Sequence, residues 1–328
     1  MRKLISFGKG SYIISMPKSW IERNHLKKGD IISVSDDGFE LVLKAGNEER
    51  KQETSEINID AKGKAMDLLK SEIVSSYLND YDAVNILFDI NSKEIPKIKD
   101  IIRNLSGLEI MEQTSTRITA KNLININEIS IKNIIRRMDI ITRAMMEDAI
   151  LCSRGQCTYD SIHHRDVDVN RLYYLGLRVI KNALKNPRVG KSLQTEPWHL
   201  HSDSLILKKL EKIADKQKRI ARSLCIMEFD REMLMQLDRV HTSISEAYNE
   251  VMKSYYNQDK VSAFNTEVGH KERISACNRF LESYVQNHGS QKSKAMGARL
   301  VGAAKIIGNL NATAAEVRDM ARIVLCYE

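Results

Sequence analysis

The 328-residue sequence is short of helix breakers and of recognisable catalytic centres. It has only four prolines and fifteen glycines, a scarcity that suits a mostly helical body, because Pro and Gly are the residues least compatible with a helix interior. The five cysteines stand at positions 152, 157, 225, 277 and 326. Their number is odd and no two form a CxxC. No secretory leader is evident, so they are expected to be reduced, structural thiols. Cys152 and Cys157 lack a second Cys or His pair at zinc-finger spacing. No apolar run reaches the roughly 18 residues of a membrane span, so membrane insertion is not expected and a cytoplasmic location is. There is no GxSxG, Walker loop or GxGxxG, and Ser11 and Ser15 have no neighbouring His. An enzyme is therefore not expected.

What is present is positive charge, unevenly spread. The chain carries a formal net charge of +8. Residues 1–28 hold Arg2, Lys3, Lys9, Lys18, Arg23, Lys27 and Lys28 against Glu22 alone. Seven basic side chains against one acid give this short segment most of the total excess. Such a cluster suits phosphate neutralisation and thus nucleic-acid binding.

The same segment reads as β. "KLISFG", "SYIISM", "DIISVS" and "FELVLK" are short β-prone runs. Gly8-Lys9-Gly10, Gly29-Asp30 and Asp36-Asp37-Gly38 mark turns between them. A two-turn helix is expected over Lys18 to Leu26, with Pro17 at its start. About 45 residues bury too little surface to fold alone, so an intertwined homodimer is expected.

Residues 46–54 are a polar linker. Residues 55–124 read as a small α/β unit: a helix from Asp60 to Leu78, the buried strand "DAVNILFDI", a helix from Ile95 to Leu105, and a hairpin of "LEIMEQ" with "RITAKN". From Asn127 the apolar period becomes helical. Ile131, Ile134, Met138, Ile141, Met145, Ala149 and Cys152 recur at steps of three or four. A second helix is expected from about His163 to Lys185, then a loop, "NPRVGKSLQTEPWHLHSD", and a third helix from Ser202 to Met227. The plan then recurs in helices over 230–256, 259–287 and 290–326, consistent with two copies of one three-helix unit.

Glu211 and Asp215 lie four apart on one stripe of the third helix. Like charges at that spacing repel, and a hard cation would turn the repulsion into a gain. Solvated acids relieved by Lys208, Lys212 and Lys218 are the plain alternative. Asp166, Asp168 and Asn170 open the second helix, where the helix dipole favours acids. Asp166 and Asn170 are also placed to face Glu211 and Asp215 across the bundle. His163, His164, His199 and His201 are expected near loop ends and exposed.

Two resemblances follow from these stretches. "GSYIISMPKSWIERNHLKKGDIISVSDDGFELVL" resembles the AbrB/MazE-type swapped-hairpin domain, in the order Ser-x-x-x-Ser-x-Pro-Lys, short helix, Lys-Lys-Gly-Asp, strand, Asp-Gly, strand. This implies an interleaved dimer contacting DNA, with Arg2, Lys3, Lys9, Lys18 and Arg23 as the contact candidates. "HRDVDVNRLYYLGLRVIKNAL" and "LILKKLEKIADKQKRIARSL" resemble the second and third helices of the PhoU family, duplicated three-helix regulators of phosphate uptake. That resemblance implies E(D)xxxD motifs for iron or divalent cations. Glu211 to Asp215 keeps the motif, and Asp166 to Asn170 keeps its first acid. Lys305 to Asn309 has neither acid and Glu267 to Lys271 has one. A metal is accordingly expected only in the first repeat, at Asp166, Asn170, Glu211 and Asp215.

The order of parts resembles archaeal phosphate uptake regulators. The expected fold is multidomain and mainly α: an AbrB-like head over 1–46, an α/β spacer over 55–124, and PhoU-like three-helix repeats over 127–227 and 229–328. The expected function is phosphate-responsive transcriptional regulation by a homodimer. The alternative is an adaptor that docks on a phosphate transporter or sensor and uses the head only to dimerise.

Overall fold

A computed structural model describes residues 3–36, 41–45, 55–90, 93–156, 159–186, 190, 195–226, 230–288 and 294–327. The chain divides into two compact units, Met1–Ser55 and Glu56–Glu328. The linker expected at 46–54, most of the Asp36-Asp37-Gly38 turn, and Arg2 lie outside the described residues.

The first unit contains two separate hairpins. β1 (Leu4–Phe7) pairs antiparallel with β2 (Ser11–Ile14), and β3 (Ile32–Asp36) with β4 (Leu41–Ala45). Gly8, at φ 70° in the turn after β1, supplies the left-handed backbone that a side chain resists. The helix between the hairpins, α1, covers Lys18–Arg23 and stops three residues before the expected end. His25, just beyond it, is left-handed at φ 52°. Among the described residues of this unit none is buried. Leu4, Phe7, Tyr12 and Leu41 are each about two-thirds exposed, at 66%, 64%, 68% and 65%.

The second unit opens with a four-stranded sheet in the order β5-β6-β8-β7. It comprises β5 (Glu56–Asp60), β6 (Ala83–Leu87), β7 (Leu108–Gln113) and β8 (Arg117–Asn122). β5 runs parallel to β6, and β8 is antiparallel to both its neighbours. α2 (Met66–Leu78) and α3 (Ile95–Arg103) cover its apolar face. Strand β5 corrects the expected Asp60–Leu78 helix, which begins only at Met66. The apolar alternation of Ile57 and Ile59 is the strand signal there, and Gly63, at φ 67°, turns the chain between the two elements.

The helices follow: α4 (Ile131–Ser153), α5 (Tyr159–Lys185), α6 (Pro197–Ile226), α7 (Arg231–Asn257), α8 (Lys260–Val268), α9 (His270–His288) and α10 (Lys294–Leu325). The expected inward positions of α4, α5 and α6 are buried, Ile141 and Tyr173 only partly. Gly176 lets α5 approach α6 closely: a Cβ there would lie 2.6 Å from Leu207 Cδ1. Two expectations need correction. α6 starts at Pro197, inside the expected loop, because Pro is well tolerated in a first helical turn. The expected 259–287 helix is two helices that meet at Gly269, α8 ending there and α9 starting at His270. The two three-helix repeats do not bury separate cores. α6 packs along α10, and one apolar cluster runs from Ile126 to Tyr327.

The sheet layer is fastened to α5. The buried Arg178 donates from Nε to Asp80 Oδ1 (2.9 Å) and from Nη1 to Asn122 Oδ1 (2.8 Å). Its guanidinium lies 4.9 Å from the Tyr77 ring centroid. Asn182 and Lys181 add bonds to Asp80 and Asn79. The α/β unit and the helices therefore share a polar joint. Cys152, Cys277 and Cys326 are free, as expected, whereas Cys225 is disulfide-bonded, contrary to the expectation of reduced thiols throughout.

Candidate nucleic-acid interface and carboxylate cluster

The basic residues of the head occupy distinct places. Lys9 is the centre of the β1–β2 turn, flanked by Gly8 and Gly10. Lys3 precedes β1, whose first residue, Leu4, pairs with Ile14 at the end of β2. Lys3 and Lys9 thus stand at opposite ends of the hairpin, more than roughly 13 Å apart, since a four-residue strand rises about 3.3 Å per residue. Lys18 begins α1 and is 3.6 Å from Glu22, with both side chains largely in solvent. The single acid of residues 1–28 therefore offsets one of the candidate contacts. Arg23 lies on the same helix and donates from Nε to Ser19 O (3.2 Å). Lys3, Lys9, Lys18 and Arg23 are all exposed. Lys3 and Lys9 belong to the first hairpin, and Lys18 and Arg23 to α1.

Apolar exposure is the other property of the head. β1 and β2 present apolar side chains on both faces, as the pairs Leu4–Ile14 and Ile5–Ile13 show. On β3 and β4, Val34 pairs with Leu43. A monomer leaves this surface in water at a cost of about 25 cal/mol per Å2. Burial against a like surface removes that cost.

In the helical body, α5 and α6 bring Asp166, Asn170, Glu211 and Asp215 to one place, and Lys218 stands among them. Its Nζ is 2.6 Å from Asp166 Oδ2 and 3.1 Å from Asp215 Oδ1. Arg219 takes Asp215 Oδ2 at 2.8 Å. Asn170 Nδ2 donates to the Asp166 carbonyl (3.0 Å). Burial raises the Glu211 carboxyl above its ordinary range, and the charges of Asp215 and Asp166 raise it further. Burial alone would lower Lys218, but its bonds to Asp166 and Asp215 outweigh that and raise it. The ammonium holds the place a cation would take, and the set as arranged does not fit a metal without displacement of Lys218. Among the described residues no group of three His, Cys, Asp or Glu side chains is disposed to hold a metal ion.

Because α5 begins at Tyr159, Asp166 lies nearly two turns inside it, beyond the reach of the dipole expected to explain it. Lys218 explains it instead. Asp168 is exposed and apart from the cluster. The histidines are helical rather than in loops. His163 stacks on Tyr159, and His199 stacks on Tyr327 at 4.7 Å.

Sequence reasoning missed two buried carboxylates. Asp139 accepts from Tyr248 (2.8 Å) and Tyr256 (2.9 Å) and is gripped by Arg143. Asp203 accepts from Tyr255 (2.6 Å) and Tyr327 (3.1 Å). Burial raises the Asp203 carboxyl despite both hydroxyl bonds. The Asp139–Arg143 pair is visible as an i,i+4 spacing. The tyrosines are about 50 to 125 residues away, so no local pattern reveals them.

Compared with known proteins, residues 5–51 match the sequence model of the family described as antidote-toxin recognition MazE, bacterial antitoxin. That stretch is the head. No curated protein and no solved structure matches the chain.

Proposed function

We propose that the chain is a homodimeric, phosphate-responsive transcriptional regulator. Two heads interleave their hairpins, grip DNA by the doubled set of Lys3, Lys9, Lys18 and Arg23, and are governed by the helical body. The observation that carries the DNA-binding part is the head itself: basic, without a buried side chain among its described residues, and similar over residues 5–51 to the MazE antitoxin family. The interleaved dimer accounts for all three. It covers the apolar strands, and it repeats each separated basic residue on a two-fold surface, so that Lys9 of one hairpin and Lys18 of the other half can serve the same duplex.

The phosphate response rests on the resemblance of α5 and α6 to the PhoU family. The polar joint at Arg178 supports a body in which the sheet layer moves with the helices, so a ligand-driven change in the helices would pass to the sheet. The carboxylates around Lys218 are assigned a structural role in this reading and no metal-dependent step.

DNA titration by the full chain at several salt concentrations tests the reading. Eight phosphate contacts per dimer would give a log–log slope of about −7 and an affinity loss of ~10^3-fold or more between 50 and 200 mM salt. Failure to bind any duplex at low salt, with the head folded, would overturn it. If Lys9→Glu, Lys18→Glu and Arg23→Glu together leave promoter binding unchanged while a protein partner is still captured, the adaptor reading replaces it.

A further inference from the structure

A cavity of about 380 Å3 opens where the two helical halves meet. The first turns of α4 contribute Lys132, Asn133 and Arg136; the end of α7 contributes Tyr256 and Gln258; Tyr327 follows α10. Among the described residues no carboxylate lines it. Neither Lys132 nor Arg136 is in a salt bridge among the described residues, and Arg136 instead rests its guanidinium 5.6 Å from the Tyr256 ring centroid.

The nearby acids are already engaged. Asp139 is taken by Arg143, Tyr248 and Tyr256. Asp203, within electrostatic reach of Lys132, is buried behind Tyr255 and Tyr327, whose hydroxyls both bond to it. Asp259 caps α8 through Val261 and Ser262. The tyrosines thus wall two carboxylates off from the cavity. Among the described residues, what faces the opening is two cations, two amides, the Ser130 hydroxyl and aromatic edges. The positive end of α4 adds to that field, its first turn capped by Ser130.

We infer that this cavity is a binding site for a small molecule bearing a phosphate dianion, held by Lys132 and Arg136 across the junction of the two helical halves. The charge pair matches a dianion, and an Arg fork suits phosphate oxygens. The volume is within the range of small-molecule sites and exceeds what a bare phosphate fills, so a phosphomonoester with a sugar or nucleoside is the class it fits. Such a ligand would tie α4 to α7 and to the segment after α10, fixing how the halves lie on each other. The binding site stands independently of DNA binding. Only an effect of the ligand on DNA affinity rests on the regulator reading.

Calorimetric titration of the full chain without DNA tests it, using orthophosphate, ribose 5-phosphate and adenosine 5′-monophosphate. Binding of a phosphomonoester, weakened ~100-fold by Lys132→Gln with Arg136→Gln and unchanged by the distant Arg222→Gln, is expected. Both residues are exposed, so the double variant should melt like the parent without ligand. Equal affinities for the two monoesters place recognition in the phosphate and sugar; tighter adenosine monophosphate adds base stacking; equal affinity for orthophosphate makes free phosphate the ligand. No binding at millimolar concentration, or binding that ignores the double variant, overturns the site.

Discussion

The head and the helical body solve the burial problem in opposite ways. The body closes on itself: one cluster of buried side chains spans seven helices, and a second fills the sheet layer. The head has strands, a helix and the right turns, yet none of its described residues is buried. Regular secondary structure therefore does not make a core. A short hairpin with apolar side chains on both faces has no inside until another chain supplies one.

Breaking the head tests this contrast most severely. Ile13→Glu with Val34→Glu should weaken head-mediated association by at least ~100-fold, since a charge would be buried without a partner. Head circular dichroism should be lost while the body's melting transition stays in place. Sedimentation and two-stage melting would show both, and a variant that keeps a folded head as a monomer would end the comparison.

In the body the same logic predicts a large local cost. Leu210, fully buried on α6, should destabilise by about 2–5 kcal/mol on Leu210→Ala. Leu4→Ala in the head should leave that transition unmoved. Chemical denaturation followed by body fluorescence measures both.

The buried polar centre adds a pH dependence that belongs to the body alone. His241 bonds from Nε2 to Gln217 Oε1 (2.7 Å), and its Nδ1 has no partner. Burial pulls the imidazole from 6.5 down to about 4. The folded state therefore prefers the neutral ring. This stability is complete above pH 6.5 and is lost as pH falls toward 4, by on the order of 3 kcal/mol. The difference between parent and His241→Gln melts across that window isolates the effect. A difference that stays flat would show the ring to be solvated.

The smallest effect sharpens the contrast from the other side. The Lys18–Glu22 pair is exposed, and Lys18→Ala should change stability by less than about 0.5 kcal/mol. The same change should reduce the salt slope of DNA binding by about 2 per dimer. Melting and binding salt series on one variant separate the two roles.

Much of this was readable in advance. The β-strands of the head follow from short β-prone runs set between turn residues, and the inward stripes of α4, α5 and α6 from helical period. Strand β5 is not anticipated: only its last residue, Asp60, falls in the expected helix, and the two isoleucines before it are too short an alternation to announce a strand. The break at Gly269 was missed because one glycine in a periodic stretch is weak punctuation. At the candidate site, the spacing of Asp166, Asn170, Glu211 and Asp215 suggested a cation. It could not reveal that Lys218, three residues beyond Asp215, turns inward to meet Asp166 on another helix.

The sequence by itself determined the order of parts, the basic bias of the head and the direction of the apolar faces of α4, α5 and α6, because these depend on neighbours within a few residues. Tertiary structure alone decided which charges meet. Arg178 finds Asp80 across 98 positions, Tyr327 finds Asp203 across 124, and Lys132 and Arg136 are left facing an open cavity. Those partnerships depend on how helices cross. The crossing is set by the fit of whole surfaces, which no local spacing records.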